Sequence, residues 1–238
     1  MAQDFTPVIP TDDKIHITYW GDLRGTINPV VMLAEFLGLD YELHQIPCVF
    51  QAYLAQKKRY KDAGEKFCNL PFLYHKGKYV SETRAIAAYL CQVAGKTELY
   101  QGQKDVTEFL QLDGMQYDLF WEVTRWAYRT KTLEEFKAVY SNVAARWQER
   151  LGDLADLVEE REFVFGAPGY LDFQLAETVQ KIEAIEKDLD ITILSKNEKL
   201  TKFRERVYAL DQIKAYRDGN KYNIIGFPWN PPMLTSWN

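Results

Sequence analysis

Residues 69–90 read Asn-Leu-Pro-Phe-Leu-Tyr-His-Lys-Gly-Lys-Tyr-Val-Ser-Glu-Thr-Arg-Ala-Ile-Ala-Ala-Tyr-Leu, and no other run restricts the fold as tightly. Pro71 cannot donate to a β-ladder, so it belongs at a strand start or edge. Phe72, Leu73 and Tyr74 form a short apolar strand, Lys76-Gly77-Lys78 a hairpin turn, and Tyr79-Val80 the return strand. Ser81-Glu82-Thr83 then precedes Ala85, Ile86, Ala88, Tyr89 and Leu90, the buried face of a helix. A helix N-terminus offers unpaired N–H groups and partial positive charge, which favour a carboxylate. Extended backbone beside a proline can receive a peptide as an added strand. Together they suggest a site for a small acidic peptide. The alternative is an ordinary hairpin followed by a capped helix.

Upstream, Ile15, Ile17 and Tyr19 alternate with His16, Thr18 and Trp20, a strand pattern. Val30, Val31, Leu33, Ala34 and Leu37 follow a helical period, with Pro29 tolerable in the first turn and Gly38 closing the helix. Tyr41–Ile46 is a second strand, and strand–helix–strand implies a parallel pair. Residues 49–64 are polar and basic without firm periodicity and read as irregular. The first part is therefore βαβ followed by ββα, over residues 14–94, behind a flexible arm of residues 1–13.

Residues 95–104 read as a linker, and strand signals nearly vanish beyond it. Phe109, Leu112, Met115, Leu119, Val123 and Trp126 run at helical spacing. Further helices are indicated at Leu133–Leu157, after Pro168-Gly169, and as one element across Leu200–Tyr216. The α/β domain is thus followed by an all-helical domain over residues 105–222 and an aromatic, proline-rich tail over 223–238.

The net charge of −5 disfavours nucleic-acid binding through a basic surface. Three cysteines with no Cys-x-x-Cys pair argue against a disulfide scaffold, a zinc site or a dithiol motif. With three histidines, no metal-ligand cluster is visible. No apolar run approaches the ~18 residues of a membrane span, and residues 1–13 lack the Lys or Arg of a leader peptide. A reducing, cytoplasmic setting is expected.

In order, the chain carries Tyr19-Trp20, Arg24-Gly25, Pro29, Glu35, Gly38, Tyr41-Glu42, Asn69-Leu70-Pro71, Glu82-Thr83-Arg84-Ala85-Ile86, Phe165-Gly166 and Leu171-Asp172-Phe173. This ordered set resembles the cytosolic glutathione S-transferases of the mu/sigma-like branch, over roughly Lys14–Asn238. The resemblance implies a thioredoxin-like N-terminal domain, an all-helical C-terminal domain and a homodimer. It implies reduced glutathione as co-substrate, no permanently bound cofactor, and a hydrophobic electrophile between the domains.

Residue roles follow from the same resemblance. Tyr19 matches the tyrosine whose hydroxyl donates to the glutathione sulfur; a hydrogen bond to the thiolate lowers the thiol pKa. Leu70, before a cis Pro71, would pair its backbone with the cysteinyl unit. Thr83 would hold the γ-glutamyl carboxylate and Glu82 would face the ammonium. Tyr53 and Lys57 match residues that hold the glycyl carboxylate, and Trp20 is a further glutathione-binding candidate. Asn69 matches a backbone-contacting asparagine. Asp118 matches an acidic residue reaching the ammonium across the dimer interface. Tyr128 matches a tyrosine in the electrophile site, with Trp126, Met233 and Leu234 as looser lining.

Two departures stand out. One extra residue lies between Tyr19 and Arg24-Gly25, at Gly21-Asp22. Gly169 replaces the Ser or Thr that usually caps the third helix of the second domain. The leading expectation is conjugation of glutathione to hydrophobic electrophiles. The alternatives are a non-catalytic assembly subunit of the same fold, and a glutathione-dependent isomerase or peroxidase.

Overall fold

The computed structural model describes residue 10 and residues 12–21, 23–101, 105–129, 132–194 and 197–219. Most of the N-terminal arm, Asp22 and the tail from residue 220 lie outside this set, Met233 and Leu234 included. Alternation makes β1 (Ile15–Trp20), which pairs in parallel with β2 (Tyr41–Ile46) through α1 (Asn28–Phe36). Pro29 sits in the first turn of α1, and Gly38 follows its end at φ 66°. β3 (Phe72–His75) runs antiparallel to β1, and β4 (Lys78–Ser81) antiparallel to β3. The sheet order is β2-β1-β3-β4. Lys76 and Gly77 both take positive φ, 50° and 78°, which a two-residue hairpin loop requires. Helix α3 (Thr83–Val93) completes the thioredoxin-like unit.

The segment expected to be irregular is helix α2 (Phe50–Asp62). Its buried positions are Ala52, Gln56 and Tyr60, spaced by four. That stripe contains one small, one polar and one amphipathic residue, so a search for aliphatic periodicity misses it. Tyr60 supplies the packing. It stacks on Phe72 with ring centroids 3.7 Å apart, and its hydroxyl and the Thr18 hydroxyl lie 3.0 Å apart. α2 therefore covers the sheet face that carries His16 and Thr18.

The opposite face, with Ile15, Ile17, Tyr19 and Leu73, belongs to one apolar core that continues into the helical half. A short helix, α4 (Glu98–Gln101), lies within the expected linker. Then come α5 (Val106–Arg129), α6 (Leu133–Arg161) and α7 (Tyr170–Leu189). The single helix expected over 200–216 is two, α8 (Glu198–Tyr208) and α9 (Asp211–Asp218). Leu210 between them is extended, at φ −58° and ψ 130°. No Gly or Pro marks the break, and Phe203, Val207 and Ile213 keep one apolar stripe across it.

At the start of α7, Asp172 accepts from the Gly169 N–H at 2.9 Å and from the Val164 N–H at 2.8 Å. Burial pushes the Asp172 carboxyl up to about 7, against the pull of these backbone donors. The absence of a capping hydroxyl at 169 has a steric cause. A Cβ there would stand 2.6 Å from the Leu99 carbonyl oxygen of α4. Gly169→Ser should therefore destabilise the fold by about 1–3 kcal/mol through overpacking, where cap chemistry alone would raise stability by a few tenths. Urea denaturation of the two proteins measures the difference.

Candidate active site

Tyr19 is the penultimate residue of β1 and is buried. The β1–β3 register pairs Thr18 with Phe72, and extending it by one step sets Tyr19 beside Pro71. The Leu70–Pro71 peptide is cis, as the resemblance implied. The β1–β2 ladder runs unbroken from Ile15 to Trp20, and the Gly21 N–H donates to the Ile46 carbonyl at 2.7 Å. β1 therefore carries no bulge between Ile15 and Gly21.

The Tyr19 hydroxyl accepts the Thr26 N–H at 3.0 Å and lies 3.3 Å from the Thr26 hydroxyl. Burial raises its pKa, and the two contacts with Thr26 work against that rise. Gly25 is the residue that permits the arrangement. Its φ is +37°, and a Cβ at this position would fall 2.1 Å from the Tyr19 oxygen.

On the other side of β1, Trp20 meets Tyr53 of α2 with ring centroids 5.7 Å apart. Tyr53 and Lys57 are one turn apart, and the Lys57 ammonium donates to the Tyr53 hydroxyl at 3.1 Å. Tyr53, Lys57, Asn69 and Leu70 line one groove with Gln56 and Cys68. The Asn69 amide donates to the Glu82 carboxylate at 3.1 Å. The expected residues from Trp20 to Thr83 thus form a continuous strip: α2, the cis-proline loop, then the start of α3. Gln56 and Cys68 were missed because each reads as an ordinary interior residue without the groove around it.

Thr83 is the first residue of α3, and its hydroxyl makes no hydrogen bond to another described residue. The first backbone bond of the helix runs from the Ile86 N–H to the Glu82 carbonyl. The N–H groups of 83–85 therefore have no carbonyl partner within the helix. Glu82 stands at φ 72° and ψ 125°, a conformation that a side-chain-bearing residue adopts only under constraint.

Asp118 does not join this strip within the chain. It is 63% exposed on α5, with Arg150 at 3.7 Å. The buried acid near α3 is Asp113, whose carboxylate takes Arg84 Nε at 2.9 Å. Arg84 follows Thr83 and also lies over the Tyr117 ring at 3.9 Å. Tyr128 and Trp126 fall in the last turn of α5, and their side chains lie outside the described residues.

Two profiles of one family match the chain: the glutathione S-transferase N-terminal domain over residues 16–92, and a glutathione S-transferase C-terminal domain over residues 117–219. The chain belongs to the glutathione S-transferase family. Among curated relatives it is 27% identical over 223 residues to glutathione S-transferase class-mu 26 kDa isozyme 51 of Fasciola hepatica, covering 89% of this chain and 91% of that one. It is 25% identical over 228 residues to a glutathione S-transferase of Tyrophagus putrescentiae, covering 92% and 94%. In fold it resembles the glutathione S-transferase Blo t 8, with a TM-score of 0.68, 21% identity and coverage of 87% and 93%. It also resembles prostaglandin synthase D of Nilaparvata lugens, with a TM-score of 0.67, 19% identity and coverage of 87% and 98%. Among the described residues, no helix is long and apolar enough to cross a membrane.

The fold also brings together three residues that the sequence keeps apart. His16, Glu42 and His44, neighbours on the parallel β1–β2 pair, place ligand-type atoms within 4.8 Å of one another. The sequence hides this because residues 16 and 42 meet only through strand register. The two ring nitrogens are 2.8 Å apart and hydrogen-bonded, and the other His16 nitrogen bonds Asp12 at 2.5 Å. Nitrogens sharing a tetrahedral ion, with bonds of about 2.0–2.1 Å, would stand roughly 3.3 Å apart. The arrangement is a carboxylate–imidazole–imidazole chain, on the sheet face away from Tyr19.

The strained backbone at Glu82 can be tested directly. Glu82→Gly should raise stability by about 1 kcal/mol, because glycine reaches this φ freely. Glu82→Ala, which keeps the strain, should give no such gain in a urea titration.

Proposed function

We propose that the protein is a glutathione transferase that lowers the pKa of the glutathione thiol and adds the thiolate to hydrophobic electrophiles. The observation that carries the proposal is the junction at β1 and β3, where Tyr19, its hydroxyl pinned by Thr26, follows the strand residue paired with Phe72, directly after the cis Leu70–Pro71 peptide. The cis bond leaves the Leu70 backbone free to pair with the cysteinyl unit of glutathione. Thr83 and the open N–H groups of α3 receive the γ-glutamyl carboxylate, and Glu82 faces its ammonium. Lys57 and Tyr53, with Trp20 beside them and Asn69 across the groove, receive the glycyl carboxylate. The tripeptide so held presents its sulfur to Tyr19. The Tyr19 hydroxyl accepts from the Thr26 N–H, so its own proton can turn from the Thr26 hydroxyl to the sulfur. Hydrogen bonding to the anion favours thiolate over thiol, and the thiolate attacks the electrophile. The same family hosts isomerases and peroxidases built on this thiolate. No residue described here favours those reactions over conjugation.

A homodimer is part of this reading. Val106, Leu110 and Trp121 are exposed apolar residues on one stripe of α5, and Gly114 and the half-buried Tyr117 fall between them. Phe67, in the loop before Asn69, is 78% exposed. Such apolar surface next to the site suits a second copy of the chain, and an exposed Asp118 on the same helix would then reach the partner's glutathione. No disulfide joins Cys48, Cys68 and Cys91, in keeping with a reducing, cytoplasmic compartment.

Tyr19→Phe should raise the thiol pKa of bound glutathione by about 1–2 units, the worth of one hydrogen bond to a charged group. Spectroscopic titration of the thiolate in the binary complex gives the value, and an unchanged pKa would refute the role of Tyr19. Thr83→Val should weaken glutathione binding by about 10–100-fold while leaving the pKa of the bound thiol in place. Calorimetry reads the first effect and the same titration the second.

A further inference from the structure

Lys181 is an α7 residue only 4% exposed, buried where the two halves of the chain meet. Its ammonium donates to the Gly25 carbonyl at 2.8 Å, lies over the Phe120 ring at 3.9 Å and stands 3.5 Å from the Thr124 hydroxyl. Sequence resemblance gave it no role, and the proposed chemistry does not use it. Burying an amine in this way is costly and needs a reason.

The acceptor it has chosen is informative. The Gly25 carbonyl and the Thr26 N–H are the two ends of one peptide group. The Thr26 end donates to the Tyr19 hydroxyl at 3.0 Å. Lysine amine, peptide group and tyrosine oxygen are therefore linked in series by two hydrogen bonds. A cation at the carbonyl end draws electron density through the planar amide and makes its N–H a stronger donor. That N–H in turn withdraws density from the tyrosine oxygen and directs the hydroxyl proton away from itself. The peptide can sit this close to the ring only because residue 25 has no side chain.

We propose that Lys181 is a positioning residue that acts through the Gly25–Thr26 peptide to orient the Tyr19 hydroxyl and make it a stronger donor to the glutathione sulfur. The inference deepens the proposed function and rests on it.

The charged groups near Lys181 are Glu177, one turn earlier on α7, and Arg24, in the loop before Gly25. Glu177 already serves Arg24 at 2.5 Å and the Asn28 amide at 2.7 Å. Burial, helped slightly by Arg24, brings the Lys181 amine down to about 7, against the pull of Glu177. Its charge therefore changes within the working range of a thiol transferase. A neutral amine still holds the carbonyl but polarises it less.

The test compares Lys181→Met, Lys181→Gln and Tyr19→Phe with the wild-type enzyme, and the two lysine changes in the Tyr19→Phe background. Lys181→Met should raise the thiol pKa of bound glutathione by about 0.5–1 unit, with glutathione affinity unchanged. It should lower kcat/KM about 3–10-fold below that pKa, with the loss recovered at higher pH. Lys181→Gln, which keeps a donor without the charge, should fall between the two. In the Tyr19→Phe background neither change should move the thiol pKa further, because the route ends at the missing oxygen. If Tyr19→Phe raises the pKa and neither lysine variant does, the inference is overturned while the proposed function stands. If the lysine variants act equally with and without the tyrosine hydroxyl, the relay is also overturned. If Tyr19→Phe has no effect, the reading of Tyr19 fails first. Should Lys181→Met not fold, the Gln variant carries the same comparison.

Discussion

The carboxylate of Glu177 is wholly buried, and one of its oxygens receives both Arg24 and Asn28. Arg24 also donates to the Gln180 amide oxygen at 2.9 Å, and Asn28 accepts from the Tyr216 hydroxyl at 2.7 Å. One acidic group on α7 thus fixes both ends of the 24–28 segment, and through Asn28 that segment is tied to α9. A buried charge without its partner is expensive, on the order of 3–5 kcal/mol, so the pairing is hard to give up. Between its two anchors lie Gly25 and Thr26, the residues that meet the Tyr19 hydroxyl. The position of the Tyr19 hydroxyl is therefore governed from the helical half of the chain, although its strand belongs to the other half.

The strip on the far side of β1 has a different origin. It depends on local backbone: a cis peptide before β3, a two-residue hairpin loop, and a positive φ at Glu82 that turns the chain into α3. These features place the Leu70 backbone and the N-terminus of α3 on one surface. Side chains from α2 then close the groove, and α2 is held there by the stack of Tyr60 on Phe72. One side of α2, the cis-proline loop and the start of α3 carry the groups proposed to bind glutathione.

Much of this was legible in the sequence. Alternation, Pro71, the Lys76-Gly77 turn and the Ser81-Glu82-Thr83 start are local signals, and each became the expected element. The ordered motifs identified the family and pointed to the strip from Trp20 to Thr83. What escaped depends on contacts between distant residues. α2 was missed because its buried stripe is Ala52, Gln56 and Tyr60. The break at Leu210 was missed because the apolar pattern runs across it. The His16–His44 pair requires strand register, and the steric demand on Gly169 requires knowing where α4 passes. Lys181 belongs with these: as a charged residue at helical spacing it reads as solvent-facing, and only the packed structure reveals it as interior.

The apolar core does not divide at the boundary between the two halves. Residues of α1 such as Val30, Val31 and Met32 belong to the same buried cluster as Phe173, Val179 and Tyr216, and Phe36 meets Phe173 with ring centroids 5.5 Å apart. The thioredoxin-like half is therefore no portable module. Excised, it would present a greasy helix face, and it would leave Arg24 and Asn28 without the acceptor that orders the tyrosine loop. Grafting this site onto another scaffold, or exchanging its helical half for that of a distant relative, means carrying α7 along with it.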